Sequence, residues 1–145
     1  MMVSETDIAY LAGLFDGEGN IQYKQYMRQR RNNERPYPTW SIRMEVSMTD
    51  ESTVRYLHEV LGVGTVNKRK NGRGSLGRKQ QWRWQCGFRD AYYVARLFWP
   101  YSHTKLDKIQ KIIDHYGDSK VMNGNIVNLE AYKLWMSAEL QRAMV

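Results

Sequence analysis

Cysteine is almost absent: Cys86 is the only one in 145 residues. An intrachain disulfide is therefore excluded, and so is a zinc site built on several thiolates. Within its apolar alternation Cys86 reads as a buried strand residue, and its isolation fits a reducing compartment. Long apolar runs are missing too. No stretch approaches the roughly 18 residues that cross a bilayer. The opening Met1-Met2-Val3-Ser4-Glu5 lacks the basic start and apolar stretch of a signal peptide. An intracellular protein with no membrane partner is expected. The histidines, His58, His103 and His115, do not form a metal-ligand spacing. The glycine-rich "NGRGSLG" lacks the Gly-Lys-Ser/Thr ending of a phosphate loop and joins two strands, so it is not one; no small-molecule cofactor is expected. No internal repeat is present.

Acids are the scarcer charge, 15 against 22 Lys and Arg, which leaves a net charge of +7. The distribution says more than the sum. Residues 20–48 hold six Lys or Arg against Glu34 and Glu45, and residues 65–89 hold eight before the first acid, Asp90. Acids collect in the N-terminal stretch and the helical segments. One basic surface facing a polyanion is the expectation.

The length suits one domain, 1–145, with a single core. Ser4 or Thr6 is placed to cap a helix over 7–17. Alternation then changes the period to two within 20–48. It sets Gln22, Lys24, Tyr26 and Arg28 against Ile21, Tyr23, Gln25 and Met27, and Trp40, Ile42, Met44, Val46 and Met48 against Thr39, Ser41, Arg43, Glu45 and Ser47. Thr49 or Asp50 caps a helix to Leu61 with Val54, Leu57, Val60 and Leu61 inward, and Gly62 ends it. A second hairpin falls within 65–88, with Trp82, Trp84, Cys86 and Phe88 on one face. Helical patterns follow after 90, broken near Pro100, and Asn128 caps a last one. This order predicts an α+β domain: one four-stranded antiparallel sheet, covered by helices on one face. The open face would carry Gln22, Lys24, Tyr26, Arg28, Arg30, Ser41, Arg43, Asn67, Arg69, Lys79, Gln81, Arg83 and Gln85. Lys and Arg neutralise phosphates, and Arg and Gln pair with base edges in the major groove.

The first helix is unusual. "LAGLFDGEG", residues 11–19, crowds glycine and acid at its C-terminal end, where the helix dipole is already negative. At about 100° per residue, Ile8, Tyr10, Leu11, Leu14 and Phe15 fall on one side. Ala9, Ala12, Gly13, Asp16 and Gly17 fall on the other, a small face that lets another backbone come close.

This stretch, preceded by Tyr10 and followed by two strands, resembles the LAGLIDADG motif of homing endonucleases. The likeness continues through "EVSMTD", "LGVGTV" and "FWPYSHTKLDKIQKII", covering roughly residues 5–116. It implies an αββαββα fold whose motif helix packs against a second copy of itself. With one motif per chain, it implies a homodimer that seats two sheets on a long, roughly palindromic double-stranded DNA and cuts both strands, leaving short 3′ overhangs. The dimer seam would be Ala9, Ala12, Gly13, Asp16 and Gly17. Glu18 would bind Mg²⁺, with Mn²⁺ or Ca²⁺ able to substitute for binding, and the Gly17 carbonyl would add a ligand. Asp16 would serve structurally at the helix pair. Lys105 resembles the active-site lysine, with Lys108 as the competing assignment and His103 nearby. Met48 departs from the family, because many members have Gln or another polar group there to organise water. An RNA intron maturase and a catalytically weakened DNA-binding relative are the alternatives on the same fold. Neither the host nor the target sequence is legible.

Overall fold

The first helix, α1 (Glu5–Glu18), starts where its cap is strongest. The Ser4 hydroxyl accepts from the Asp7 amide at 3.1 Å, and the Asp7 carboxylate accepts from the Ser4 amide at 3.3 Å. This reciprocal box satisfies two orphan donors at once, so the helix begins at residue 5 and not at 7. The Tyr56 hydroxyl also donates to Asp7, at 2.6 Å. That bond, with the Ser4 bonds behind it, holds the Asp7 carboxyl below its ordinary value. The same bond, aided by burial, pushes Tyr56 up to about 12.

The computed structural model describes residues 3–29, 35–69 and 79–117. Arg30, the "NGRGSLG" turn and the expected C-terminal helix lie outside the described residues. The helix α1 passes without a loop into strand β1 (Gly19–Arg28). Gly19 makes this passage possible, since a Cβ there would collide with the Phe15 ring. Strand β2 (Tyr37–Met48) follows, then helix α2 (Glu51–Leu61), strands β3 (Thr65–Arg69) and β4 (Gln81–Gly87), and helices α3 (Arg89–Phe98) and α4 (Leu106–Gly117). Asp50 caps α2, accepting from the Ser52 amide at 3.2 Å and the Thr53 hydroxyl at 2.7 Å. Gly62 ends it in the left-handed region at φ 72°.

The strands form one antiparallel sheet in the order β1-β2-β4-β3. Helices cover one face, and the core lies between the layers. Ile42, Met44, Val46 and Trp84 meet Leu11, Phe15, Leu57, Phe98, Ile109 and Ile112 there, all buried. Each such side chain contributes about 1.5–3 kcal/mol on leaving water. The Trp84 indole N–H is not stranded, because it donates to the Val63 carbonyl at 2.9 Å. The architecture is the αββαββα arrangement with α4 added.

Two residues of α1 trade places relative to the wheel. Tyr10, expected in the core, is 53% exposed. Ala12, expected on the small docking face, is completely buried. The physical reason is that α3 packs against this side of α1, with the Phe15 and Phe98 rings 5.5 Å apart. A helix that is apolar nearly all round does not announce which side its own core will claim. Phe88 also departs from expectation. The alternation that buries Trp84 and Cys86 stops at Gly87, and Phe88 is 57% exposed.

Candidate nucleic-acid interface and active site

The open sheet face is fixed by strand register. Gln22 pairs with Arg43, Lys24 with Ser41, Asn67 with Arg83, and Arg69 with Gln81. Gln85 lies between Glu45 and Thr65. Directly opposed residues share a face, so these side chains project together, with Tyr26 and Arg28 further along β1. Lys79 is exposed ahead of β4, outside the sheet. Several of the side chains hold one another in place. Arg43 Nη2 donates to Gln22 Oε1 at 2.7 Å, and Arg69 Nη1 to Gln81 Oε1 at 3.2 Å. Planar guanidinium and amide groups held at strand spacing suit bidentate contacts with purine edges. Among the described residues, Arg83 Nε and Gln85 Oε1 are buried without a hydrogen-bond partner, so the middle of this face retains unused polar capacity.

The same alternation places Asn20, Thr39, Glu45, Ser47 and Thr65 on this face, and they were legible by the same rule. Glu45 is the acid among them. Asn20 Nδ2 lies 3.4 Å from its Oε1, at the β1 end nearest the motif helix.

The foot of α1 gathers the other candidates. Glu18 is the last helical residue and is exposed, as is Gly17 before it. No basic residue occupies the last turn of α1. The cation comes instead from the turn before α4: Lys105 Nζ donates to the Asp16 carbonyl oxygen at 2.6 Å. A positive charge on an orphan carbonyl is favourable at this end of a helix. Lys105 thus stands two residues from Glu18 in the helix, whereas Lys108 is exposed one turn further along α4.

Asp16 has partners that its neighbours in the sequence do not announce. Its carboxylate accepts from the His103 amide at 2.8 Å and the Lys105 amide at 3.2 Å, inside its own chain. The side chain expected at the helix pair therefore fastens the turn before α4 to the motif helix. Met48 lies on the helix-covered face of the sheet, partly buried against the core and opposite Trp82.

The outward stripe of α1 consists of Thr6, Tyr10, Gly13 and Gly17, all exposed, with Ala9 half-buried beside it. A Cβ added at Gly13 or Gly17 would meet nothing within 4 Å. Among the described residues nothing requires glycine at either position, although each costs about 1 kcal/mol relative to Ala inside a helix.

The family model of the LAGLIDADG endonucleases matches residues 11–84. The chain belongs to this family.

Solved structures agree with the fold. The homing endonuclease I-CvuI, in complex with its target in the presence of 2 mM Ca, is 14% identical with a TM-score of 0.64, the match covering 96% of this chain and 80% of that one. The homing endonuclease I-TnaI is 15% identical with a TM-score of 0.56, and the match covers 99% of each chain. The meganuclease I-SmaMI, bound to DNA, is 15% identical with a TM-score of 0.56, and 95% of this chain corresponds to 43% of that one. A search of curated proteins found no significant match. Among the described residues no helix is long and apolar enough to cross a membrane.

Membership gives the observed parts their setting. The LAGLIDADG helix is α1, and the basic face is the outer surface of the family's sheet. Among the described residues no three His, Cys, Asp or Glu side chains gather as a metal cluster. The foot of the LAGLIDADG helix instead offers one carboxylate, Glu18, beside the helix-terminal carbonyls. These are hard oxygen donors of the kind Mg²⁺ and Ca²⁺ take, and they are too few by themselves for a whole coordination shell.

Proposed function

We propose that the protein is a site-specific homing endonuclease that works as a homodimer and hydrolyses phosphodiester bonds in both strands of a long, roughly palindromic DNA. The observation that carries this reading is the α1 stripe. Two helix glycines that nothing among the described residues requires are exposed directly above an exposed glutamate at the helix foot. A second copy of the helix laid on Gly13 and Gly17 explains the glycines by close approach, and a two-fold axis there brings two Glu18 side chains together. The correspondence of this chain to less than half of I-SmaMI supports a pair of such units as the working assembly.

Glu18 of each protomer, with the Gly17 carbonyl, would hold a divalent ion. A bound ion stabilises the attacking and leaving oxygens of an in-line displacement and offsets negative charge at the helix end. Lys105, held beside the foot by the Asp16 carbonyl, stands where a cation can favour developing negative charge. The sheet residues Gln22, Lys24, Tyr26, Arg28, Ser41, Arg43, Asn67, Arg69, Gln81, Arg83 and Gln85 would track the duplex. Lys79 and Arg30 would extend this track. Glu18→Gln tests the reading. It should bind DNA as the parent does and cut neither strand, and cleavage at the parent rate would refute the assignment.

Met48 favours a second reading, a DNA-binding relative with weakened catalysis. It packs toward the core and brings no hydrogen-bonding group to the active site. Met48→Gln decides between the two. Restored cleavage in an otherwise feeble enzyme supports the weakened relative, and a fully active parent enzyme removes it.

A further inference from the structure

The corner between β4 and α3 is built against its own sequence. Phe88 has φ 54° and ψ −121°, and it is the one described non-glycine residue at positive φ. This backbone region suits glycine at the first corner of a tight turn and disfavours a residue with a Cβ. The conformation is locked from both sides. The Phe88 amide donates to the Ile42 carbonyl of β2 at 3.0 Å, and its carbonyl accepts from the Tyr92 amide at 3.0 Å as the first bond of α3. Glycine does occur here, one position earlier, where a Cβ on Gly87 would come within 3.1 Å of the Ile42 carbonyl. Phe88 is also the N-cap of α3 and makes no side-chain cap bond. The residue is 57% exposed. It therefore combines an unfavourable backbone conformation and an unmade cap with more than half of its surface left exposed.

Strain kept at one exposed side chain points to a task outside the fold. The neighbouring residue indicates which partner. Gly87 lies on the open face, directly opposite Arg43, which pairs in turn with Gln22. Phe88 follows Gly87 at the end of β4, one residue beyond the Gln22–Arg43 row. We propose that Phe88 is a DNA-contact residue, its phenyl ring lying against the deoxyribose and base edges of duplex bound on the sheet. Apolar side chains serve proteins in this way where they press into a groove. The inference rests on the DNA-binding reading above, and it adds an uncharged anchor to a face so far described by its charges and amides.

Two measurements on Phe88→Gly and Phe88→Trp test it. Phe88→Gly removes strain and ring together, so it should denature at higher urea than the parent. It should also bind a random-sequence duplex, in low salt with Ca²⁺, about tenfold more weakly, as expected for uncovering roughly half of a phenyl ring. The slope of log K against log salt should not change, because no phosphate contact is lost. Phe88→Trp should keep the parent affinity. Parent-like affinity of Phe88→Gly, a lower urea midpoint, or a shallower salt slope would each overturn the proposal. A parent protein without salt-sensitive binding would take the DNA-binding reading down as well, and the parent control alone reveals that case.

Discussion

Replacing Gly13 by alanine should have opposite effects on the separate chain and on the pair. In the separate chain the new methyl meets nothing within 4 Å, so only helix propensity changes. Gly13→Ala should then stabilise the monomer by about 1 kcal/mol, or roughly 3 °C in melting temperature at this chain length. In the dimer the same methyl enters a seam closed by backbone approach, and the two-fold axis makes it count twice. Overpacking costs about 1–3 kcal/mol per site, so two sites should weaken association by at least roughly thirtyfold. Sedimentation equilibrium over a concentration series gives the dissociation constant. Urea denaturation below that concentration gives the monomer term. Glu59→Ala, on the exposed side of α2, is the control and should leave association unchanged. A Gly13→Ala protein that dimerises like the parent would refute the placement of the seam on this stripe. So would one that is destabilised as a monomer, because the glycine would then serve the chain's own fold.

Further outcomes follow from the site. Asp16→Asn weakens the two amide contacts that tie the turn before α4 to the motif helix, so cleavage should fall while DNA affinity changes little; equal losses in both would count against a local role. Lys105→Ala should slow cleavage more than Lys108→Ala, since only Lys105 reaches the foot of α1, and the reverse order in a single-turnover assay would transfer the role. The Asp7 carboxyl titrates below its ordinary value of 3.8 in the folded chain, so the folded state binds fewer protons. Its contribution is full above that value and disappears as pH falls through the lowered one. Asp7→Asn should flatten the acid limb of a stability–pH profile, and an unchanged limb would contradict this.

The fold was legible because its elements carry plain periods. Alternation in residues 39–48 survives intact from Trp40 to Met48, and the inward residues of α2 are all buried. The open face was legible for the same reason, including the Thr39, Glu45 and Ser47 side of β2 and, by register, Asn20 opposite Glu45. Legibility ended where partners are distant or where a period breaks. Asp16 meets amides 87 and 89 positions away, and no local pattern announces such a bond. Tyr10 and Ala12 exchanged roles because α1 offers apolar residues in nearly every direction, and only the arrival of α3 selects one. Phe88 reads as a core residue until the chain turns at positive φ to enter α3. The glycines of "LAGLFDGEG" were conspicuous in the sequence, and the open space around Gly13 and Gly17 adds that none of the described residues of their own chain needs them.

The most direct measurement is cleavage selection from a randomised duplex library with Mg²⁺, run beside Glu18→Gln. Recovered sites should be long, approximately two-fold symmetric and cut in both strands, with no recovery for Glu18→Gln. Sites without symmetry, single-strand nicks alone, or undiminished cleavage by Glu18→Gln would contradict it.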